Sequence, residues 1–314
     1  YANGADFGGN DLSIGTYAAP KDSTTTINIY DAKNLVVWGQ PVDERADVWN
    51  VNFTDCVNDG SNFLMYRGRE NGKATINATL TGCKATGFDD SIIHTTADGR
   101  ITIKNCKFAN NCAPVNIAHK QAGAMTVTVE NSTFTNCGET NTTKDLYRYA
   151  APVRIVNNNA TGTVATEVTN CTFTGTVGNN GDILIGDGRG GKESKDVSLT
   201  VKDTAANVQA QKPGYYAADG AVAEAGKVSK TTIPASETPT TITLTSEAFM
   251  LAEVNGFKTS NLREALDNAR SSNKPIKLLS ADTALVQAIL DGQYGSIDGL
   301  TIELPTGNYG QLEL

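Results

Sequence analysis

Two adjacent carboxylates, Asp89 and Asp90, are the residues whose types and spacing come closest to a catalytic pattern. Two carboxyl groups roughly 6.5–9.5 Å apart can hydrolyse a glycosidic bond, one as the acid and one as the base that activates water. Carboxylate oxygens are also the ligands that calcium prefers. A solvated turn at the start of a strand is the simpler alternative, and the spacing alone leaves the choice open.

A recognition function is indicated by Tyr147, Arg148 and Tyr149, which stand in a row on a predicted loop. Tyrosine and arginine are enriched among the residues that carry most of the binding energy at interfaces. We therefore predict a binding site at these three residues, with a loop folded onto its own strand as the alternative. The segment 63–67 has similar residue types, but its alternation favours an ordinary strand.

A short motif recurs along the chain and marks the elements that must position these residues. It reads Asn-Cys-x-Phe or a near variant. Its anchor residues are Cys56, Cys83, Cys106, Ser132 and Cys171. Repeats at intervals of about 20–50 residues are typical of solenoid proteins.

The residues around each anchor predict two strands joined by a sharp bend. Apolar and polar residues alternate before the anchor, as at Val51/Phe53 and Ile101/Ile103, which is typical of a strand with one buried face. The residue directly before the anchor is Asp, Gly or Asn, the types that best tolerate a left-handed backbone. We therefore predict coils of a parallel β-helix stacked about 4.8 Å apart, with an Asn ladder, a Cys/Ser ladder and a Phe ladder.

The organisation of the chain follows from where this pattern begins and ends. Residues 1–203 are predicted as the parallel β-helix with an irregular lead-in, and 204–240 as a linker or an embellished connection. Residues 241–314 are predicted as an α+β segment, because apolar residues at 262, 265, 266 and 269 have helical spacing. This segment is either a cap or the start of a second β-helix module. We expect the chain to be a fragment of a longer protein, whose further modules would be its partners.

Composition limits the classes of partner. The chain has a net charge of −8 and no basic stripe, which argues against binding nucleic acid or an anionic membrane. No stretch approaches the roughly 20 apolar residues of a membrane span. The two histidines, His94 and His119, are predicted to be surface residues on a sheet.

Four of the six cysteines share one phase of the repeat, which favours small buried side chains over disulfides. We predict free buried thiols, with a Cys112–Cys137 disulfide as the alternative. The cysteine and histidine spacing does not predict a zinc site. No cofactor is predicted, although calcium would suit the plentiful oxygen ligands.

The repeats resemble right-handed parallel β-helix proteins of the pectate lyase-like group, over the middle of the chain. That group includes polysaccharide lyases, glycoside hydrolases, phage tailspikes and bacterial adhesins. The sequence is rich in Thr and Asn, carries few charges and ends in a segment that looks like the start of a further module. In these respects it is most similar to large surface proteins of Gram-positive bacteria. The resemblance implies an all-β, right-handed parallel β-helix followed by a small α+β segment. It also implies a non-enzymatic extracellular module of a bacterial cell-surface protein that binds a host protein or glycan.

The same resemblance implies an alternative function, degradation of a polysaccharide. Hydrolases of the polygalacturonase type carry Gly-Asp-Asp-Cys-Ile, Asn-Thr-Asp-Gly and Arg-Ile-Lys segments, which are similar to segments 87–92, 58–60 and 154–156 here. The residues that would then be catalytic are Asp59, Asp89, Asp90 and Arg154. The family's Gly-His-Gly is absent, and Phe88 interrupts the acidic run.

Two further functions are weighed beside these. A lyase would need a calcium cluster and a basic residue, and Asp182, Asp187 and Arg189 are available, but their spacing does not bring them together. A structural stalk that holds other modules away from the cell would need neither a groove nor a binding patch.

Overall fold

The computed structural model describes residues 5–6, 8, 11–14, 22–39, 45–67, 72–139, 150–159, 161–185, 197–211, 217–218, 228–244, 251–259, 262–279 and 283–306. In chain order, the elements are β1 (Asp11–Ile14), β2 (Thr24–Tyr30), β3 (Val36–Gly39), β4 (Val48–Thr54), β5 (Val57–Asp59), β6 (Leu64–Tyr66), β7 (Thr75–Thr81), β8 (Lys84–Thr86), β9 (Ser91–Thr95), β10 (Asp98–Lys104), β11 (Lys107–Ala109), β12 (Ala113–His119), β13 (Ala124–Glu130), β14 (Thr133–Thr135), β15 (Val153–Asn157), β16 (Thr163–Thr169), β17 (Thr172–Thr174), β18 (Ile183–Ile185), β19 (Val197–Lys202), β20 (Ala206–Gln211), β21 (Ala217–Ala218), β22 (Val228–Ile233), β23 (Thr240–Leu244), β24 (Ala252–Val254), β25 (Phe257–Thr259), α1 (Leu262–Ser272), β26 (Ile276–Leu278), α2 (Thr283–Leu290) and β27 (Ile302–Glu303).

Three stacked sheets form the body of the molecule. Sheet 1 contains β2, β4, β7, β10, β13, β16 and β19 as parallel neighbours, and sheet 2 contains the short strands β5, β8, β11, β14 and β17. Sheet 3 runs β1, β3, β6, β9, β12, β15, β18 and β20, also in parallel. A coil takes one strand from each sheet, as in β7, β8 and β9. This arrangement confirms the predicted parallel β-helix.

The strands continue past the boundary predicted at residue 203. β20 adds to sheet 3 in parallel, and β22 then pairs with it in the antiparallel direction. β23 pairs with β19 in the antiparallel direction on sheet 1. Part of the segment predicted as a linker or embellished connection therefore adds strands to sheet 3, and the first residues of the predicted α+β segment, in β23, add to sheet 1.

The predicted left-handed bend is present before every anchor residue. The φ angles are positive at Asp55 (54°), Gly82 (67°), Asn105 (56°), Asn131 (51°) and Asn170 (50°). At each bend the backbone N–H donates to a carbonyl of the next coil, as from Asn105 to Glu130 at 3.1 Å. The bend thus turns the chain from sheet 1 to sheet 2 while the backbone N–H at the corner keeps a hydrogen-bond partner.

A second left-handed bend, which the repeat motif did not predict, follows five residues after the first. It is formed by Gly60, Gly87, Asn110, Asn136 and Gly175, with φ between 50° and 68°. The two bends enclose a three-residue strand of sheet 2 in each coil. Glycine or asparagine at this fixed offset is the signal that would have revealed it.

The interior of the coils is filled by ladders of like side chains. Phe134 stacks on Phe108 at 5.2 Å between ring centroids and on Phe173 at 4.9 Å, which confirms the predicted Phe ladder. In the neighbouring ladder, the Cys106 thiol donates to the Leu80 carbonyl of the preceding coil at 3.6 Å. The Ser132 hydroxyl accepts the Cys106 backbone N–H at 3.1 Å, so this row also links coils by hydrogen bonds.

The C-terminal segment has its own core. β24, β25, β26 and β27 form a four-stranded sheet, and α1 packs on it with four buried residues at the predicted helical spacing: Leu262, Ala265, Leu266 and Ala269. This is the small α+β segment that the sequence predicts. Within the described part of the chain, neither helix is long and apolar enough to cross a membrane.

The bend at Asn105 can be tested by substitution. Because a left-handed backbone costs a residue with a Cβ about 1–2 kcal/mol and is worst for β-branched types, we expect Asn105→Val to lower the free energy of unfolding by about that amount. Asn105→Gly should lower it far less. Urea denaturation measures both, with Thr102→Val on β10 as the control. Equal losses for Val and Gly would show that the side chain, and not the φ angle, matters at this corner.

Candidate functional site

A chain of hydrogen bonds crosses three coils on sheet 3. Arg154 and Asn116 occupy paired positions on β15 and β12, and the Arg154 Nη1 donates to the Asn116 Oδ1 at 2.8 Å. The Asn116 amide donates in turn to the Ser91 hydroxyl at 2.8 Å. The Ser91 backbone N–H and hydroxyl both donate to the Asp90 Oδ1, at 2.7 and 3.2 Å. We call these four residues the sheet 3 relay.

The strand period explains where the relay lies. Val153 and Ile155 belong to the hydrophobic core, so Arg154 between them lies on the opposite face of the sheet. Arg154 is only 8% exposed, and Asn116 and Ser91 are also buried. A buried guanidinium requires hydrogen-bond acceptors, and Asn116 supplies one of them. The relay therefore has an evident structural use.

The structure links two of the four residues proposed for catalysis through the relay and places the other two outside it. Asp90 and Arg154 lie at the two ends of the relay. Asp59 is exposed at the end of β5 on sheet 2, where its Oδ1 accepts the Thr86 hydroxyl at 2.8 Å. Asp89 is exposed in the segment between β8 and β9.

The predicted binding residues Tyr147, Arg148 and Tyr149 lie outside the described residues. Asp187 and Arg189, which were weighed for a lyase site, also lie outside them. Asp182 is described and lies far along the stack from Asp90: it precedes β18, three coils beyond β9 in sheet 3.

The histidine prediction is wrong for His119, which is fully buried at the end of β12. Its Nε2 lies 2.7 Å from the Asp98 Oδ1, and its Nδ1 lies 3.1 Å from the Asn157 Oδ1. It continues the inward face of Val115 and Ile117, which is why it enters the core. His94 is half-buried and pairs in register with Asn116.

The hydrogen bonds around Asn157 fix the orientation of its amide beside His119. The Asn157 Nδ2 donates to the Gly162 carbonyl at 2.6 Å, and its Oδ1 accepts the Asn159 N–H at 3.2 Å. This fixes the amide and places an acceptor, the Asn157 Oδ1, against the His119 Nδ1, while the Asp98 carboxylate lies against Nε2. Gly162 allows the close approach, because a Cβ there would lie 2.6 Å from the His119 Cε1. The cluster closes the turn from sheet 3 to sheet 1.

All six cysteines are free and buried, which confirms the thiol prediction and excludes the Cys112–Cys137 disulfide. Burial raises the pKa of Cys137 and of Cys171 to about 11. The hydrogen bond between Cys83 and Cys106, with burial, raises the pKa of Cys83 to about 12. Thiolate is the reactive form, so these side chains are chemically quiet near neutral pH.

Metal ligands do not cluster in the described part of the chain, where no group of three or more His, Cys, Asp or Glu side chains could hold an ion. Calcium stays a prediction, since backbone and amide oxygens can also bind it.

The relay is expected to stabilise the fold. Asn116→Ala removes an acceptor from the buried Arg154 guanidinium, and because hydrogen bonds to charged groups contribute about 1.5–3 kcal/mol, we expect a loss of that size. The control is Asn77→Ala on sheet 1, where a half-buried amide donates to the Asn50 Oδ1 at 3.0 Å. The control should cost about 1 kcal/mol or less. Equal losses in urea denaturation would contradict this role for the relay.

The thiols are expected to react only after unfolding. At pH 8 the native chain should react slowly with a disulfide reagent such as DTNB, and all six thiols should react at once in urea. The cysteine thiols have a pKa near 9.0 in the unfolded chain, whereas Cys137 and Cys171 have a pKa of about 11 in the folded chain. Between these two values the folded state retains protons that the unfolded state has lost. The free energy of unfolding should therefore fall from pH 9 to pH 11. Fast labelling of the native chain would contradict this.

Comparisons with known proteins returned no family model, no curated protein and no solved structure that matches this chain. The function proposed below therefore rests on the side chains and surfaces of this molecule.

Proposed function

We propose that this chain is a non-enzymatic extracellular module of a bacterial cell-surface protein, and that it binds a host protein or a glycan. The observation that carries this proposal is the use the fold makes of its polar side chains. Asp90 and Arg154, the two catalytic candidates that come together, are linked through Ser91 and Asn116 in hydrogen bonds between coils. They act as parts of the scaffold.

The geometry that glycoside hydrolysis requires supports a non-enzymatic function. An inverting hydrolase needs a second carboxylate across the substrate, roughly 6.5–9.5 Å from the first. The acid proposed for that place, Asp59, lies on sheet 2 and is bonded to Thr86. Asp90 directly precedes β9 of sheet 3 and is bonded to Ser91, so both carboxylates proposed as acid and base are engaged within the scaffold.

The exposed face of sheet 1 provides a surface suited to binding. Its outward rows consist mostly of hydroxyl and amide side chains: Thr26, Asn28, Asn50, Asn52, Asn77, Thr79, Thr102, Thr126, Thr128 and Thr200. Several are held by contacts between coils, such as Asn52 to Asn28 at 2.9 Å. Such a surface is already ordered, so less conformational entropy is lost when a partner binds it.

Free thiols are compatible with an extracellular location, because all six are buried and therefore shielded from oxidants. Among the described residues, four large hydrophobic side chains are exposed, Tyr30, Val57, Val177 and Leu304. They lie on different elements and do not form one apolar patch, so polar groups are expected to carry recognition.

A polysaccharide-degrading enzyme is the second candidate. The observation in its favour is that an acid and a base, Asp90 and Arg154, from the two coils that flank the coil of β12, share one hydrogen-bonded network. A structural stalk is the third, and it requires neither binding nor turnover.

The decisive assay measures both turnover and binding. The wild type, Asp89→Ala/Asp90→Ala and the control Glu167→Ala on sheet 1 are incubated with pectins, mucin glycans and glycosaminoglycans, with and without calcium. We expect no release of reducing or unsaturated ends, together with retention of at least one host glycoprotein or glycan by the wild type. Turnover that the double variant loses and the control keeps would contradict the proposal. No turnover and no retention would leave the stalk.

A further inference from the structure

A polar cleft opens near the C-terminal end of the parallel stack. It encloses about 310 Å³ between the turn that follows β17, the start of β18 and strand β20. Its polar lining consists of Thr176, Asn179, Asp182, Asn207, Gln209 and Thr232. None of these residues belongs to the relay or to the His119 cluster, so the cleft is a separate feature of the molecule.

Asp182 is a buried carboxylate held in one orientation. It is 6% exposed. Its Oδ1 accepts the Thr176 hydroxyl, and its Oδ2 accepts the Asn207 backbone N–H at 2.7 Å. An ionised carboxylate has about four acceptor positions, so both oxygens retain capacity for a further donor. The cleft therefore contains a fixed negative charge with acceptors to spare.

Gln209 is the second unusual group in the lining. It lies in β20, in register with Leu184 of β18, and is 3% exposed. Its Oε1 is buried and has no hydrogen-bond partner among the described residues. Buried polar atoms are nearly always paired, and leaving one unpaired weakens the folded state. A ligand that donates a hydrogen bond would remove this defect once the Gln209 side chain, which lines the cleft, turns its solvent-inaccessible Oε1 toward it.

The lining selects the chemistry of the ligand. Asp182 offers acceptors and the lining amides and hydroxyls can both donate and accept, which favours a molecule rich in hydroxyl groups, such as a sugar. The volume is at the lower end of small-molecule sites, which span about 300–1,000 Å³. A site for a transition metal is disfavoured, because Asp182 is not part of any group of three His, Cys, Asp or Glu side chains in the described chain, and calcium, which also accepts amide oxygens, is tested directly. The charge of Asp182 also repels acidic sugars.

We propose that this cleft binds one neutral sugar residue of a glycan, with sugar hydroxyls donating to Asp182 and Gln209. The Asn179 amide at the exposed edge donates to a sugar oxygen in return. The inference rests on the proposed binding function and names its site. Because the described lining contains no aromatic side chain on which a sugar could stack, the affinity for a single residue is weak.

The test is a titration of the full chain followed by saturation-transfer difference NMR. The probes are the methyl glycosides of glucose, galactose, mannose and N-acetylglucosamine, then methyl glucuronate, then calcium chloride alone. The variants are Gln209→Leu and Asp182→Asn. The control is Thr166→Val, which removes another buried oxygen without a described partner, on the inner face of β16. Thermal unfolding of each variant checks that it folds.

We expect at least one neutral glycoside to bind and glucuronate to bind at least tenfold more weakly. Loss of one hydrogen bond weakens affinity by up to about tenfold, so Gln209→Leu and Asp182→Asn should each lose about that factor. Thr166→Val should bind like the wild type. Gln209→Leu should be at least as stable as the wild type, which separates a lost contact from a damaged fold.

Three results would overturn the inference. If neutral glycosides bind the wild type and both cleft variants equally well, the site lies elsewhere and the binding function stands. If calcium alone binds and Asp182→Asn abolishes this, the cleft is a cation site. If glucuronate binds more tightly than neutral sugars, the ligand class is wrong. A chain that retains neither glycan nor glycoprotein in the wider assay refutes the proposed function itself.

Discussion

The left-handed bend before each buried thiol or hydroxyl is the constraint on which the rest of the structure depends. It turns the chain from sheet 1 to sheet 2 at the same point of every coil, at Asp55, Gly82, Asn105, Asn131 and Asn170. Since a one-residue slip in a strand moves every side chain to the other face, a fixed corner also fixes which residues enter the core. The Phe stack and the thiol row are consequences of that register.

The same register brings together polar residues that are distant in sequence. Arg154 and Asn116 are paired on adjacent strands although 38 residues separate them. His119 meets Asp98 at one turn of the stack, and Asp182 meets Asn207 at another. In the relay and in the His119 cluster, the resulting hydrogen bonds hold neighbouring coils together. The cleft differs because an unpaired buried oxygen, the Gln209 Oε1, belongs to the lining of an open space that also contains the Asp182 carboxylate.

The sequence patterns predicted those features of the fold that residues close together in the chain determine. The alternation of apolar residues, the Asn or Gly bend and the shared phase of four cysteines were enough for the β-helix, its ladders and its free thiols. The partners of polar side chains could not be predicted, because coil lengths vary and the register between coils is invisible in one sequence. His119 was therefore misplaced on the surface, and the relay and the second bend at Asn110 were missed. The prediction for Tyr147, Arg148 and Tyr149 stays untested.

The most direct test of the account is a crystal structure of the chain soaked with a neutral oligosaccharide. The account predicts one sugar residue within hydrogen-bond distance of Asp182 and Gln209, with the relay from Asp90 to Arg154 unchanged. A sugar bound instead against Asp90 and Arg154 on sheet 3, with the relay opened, would contradict it. That result would make the scaffold interpretation of these side chains wrong and would favour an enzyme.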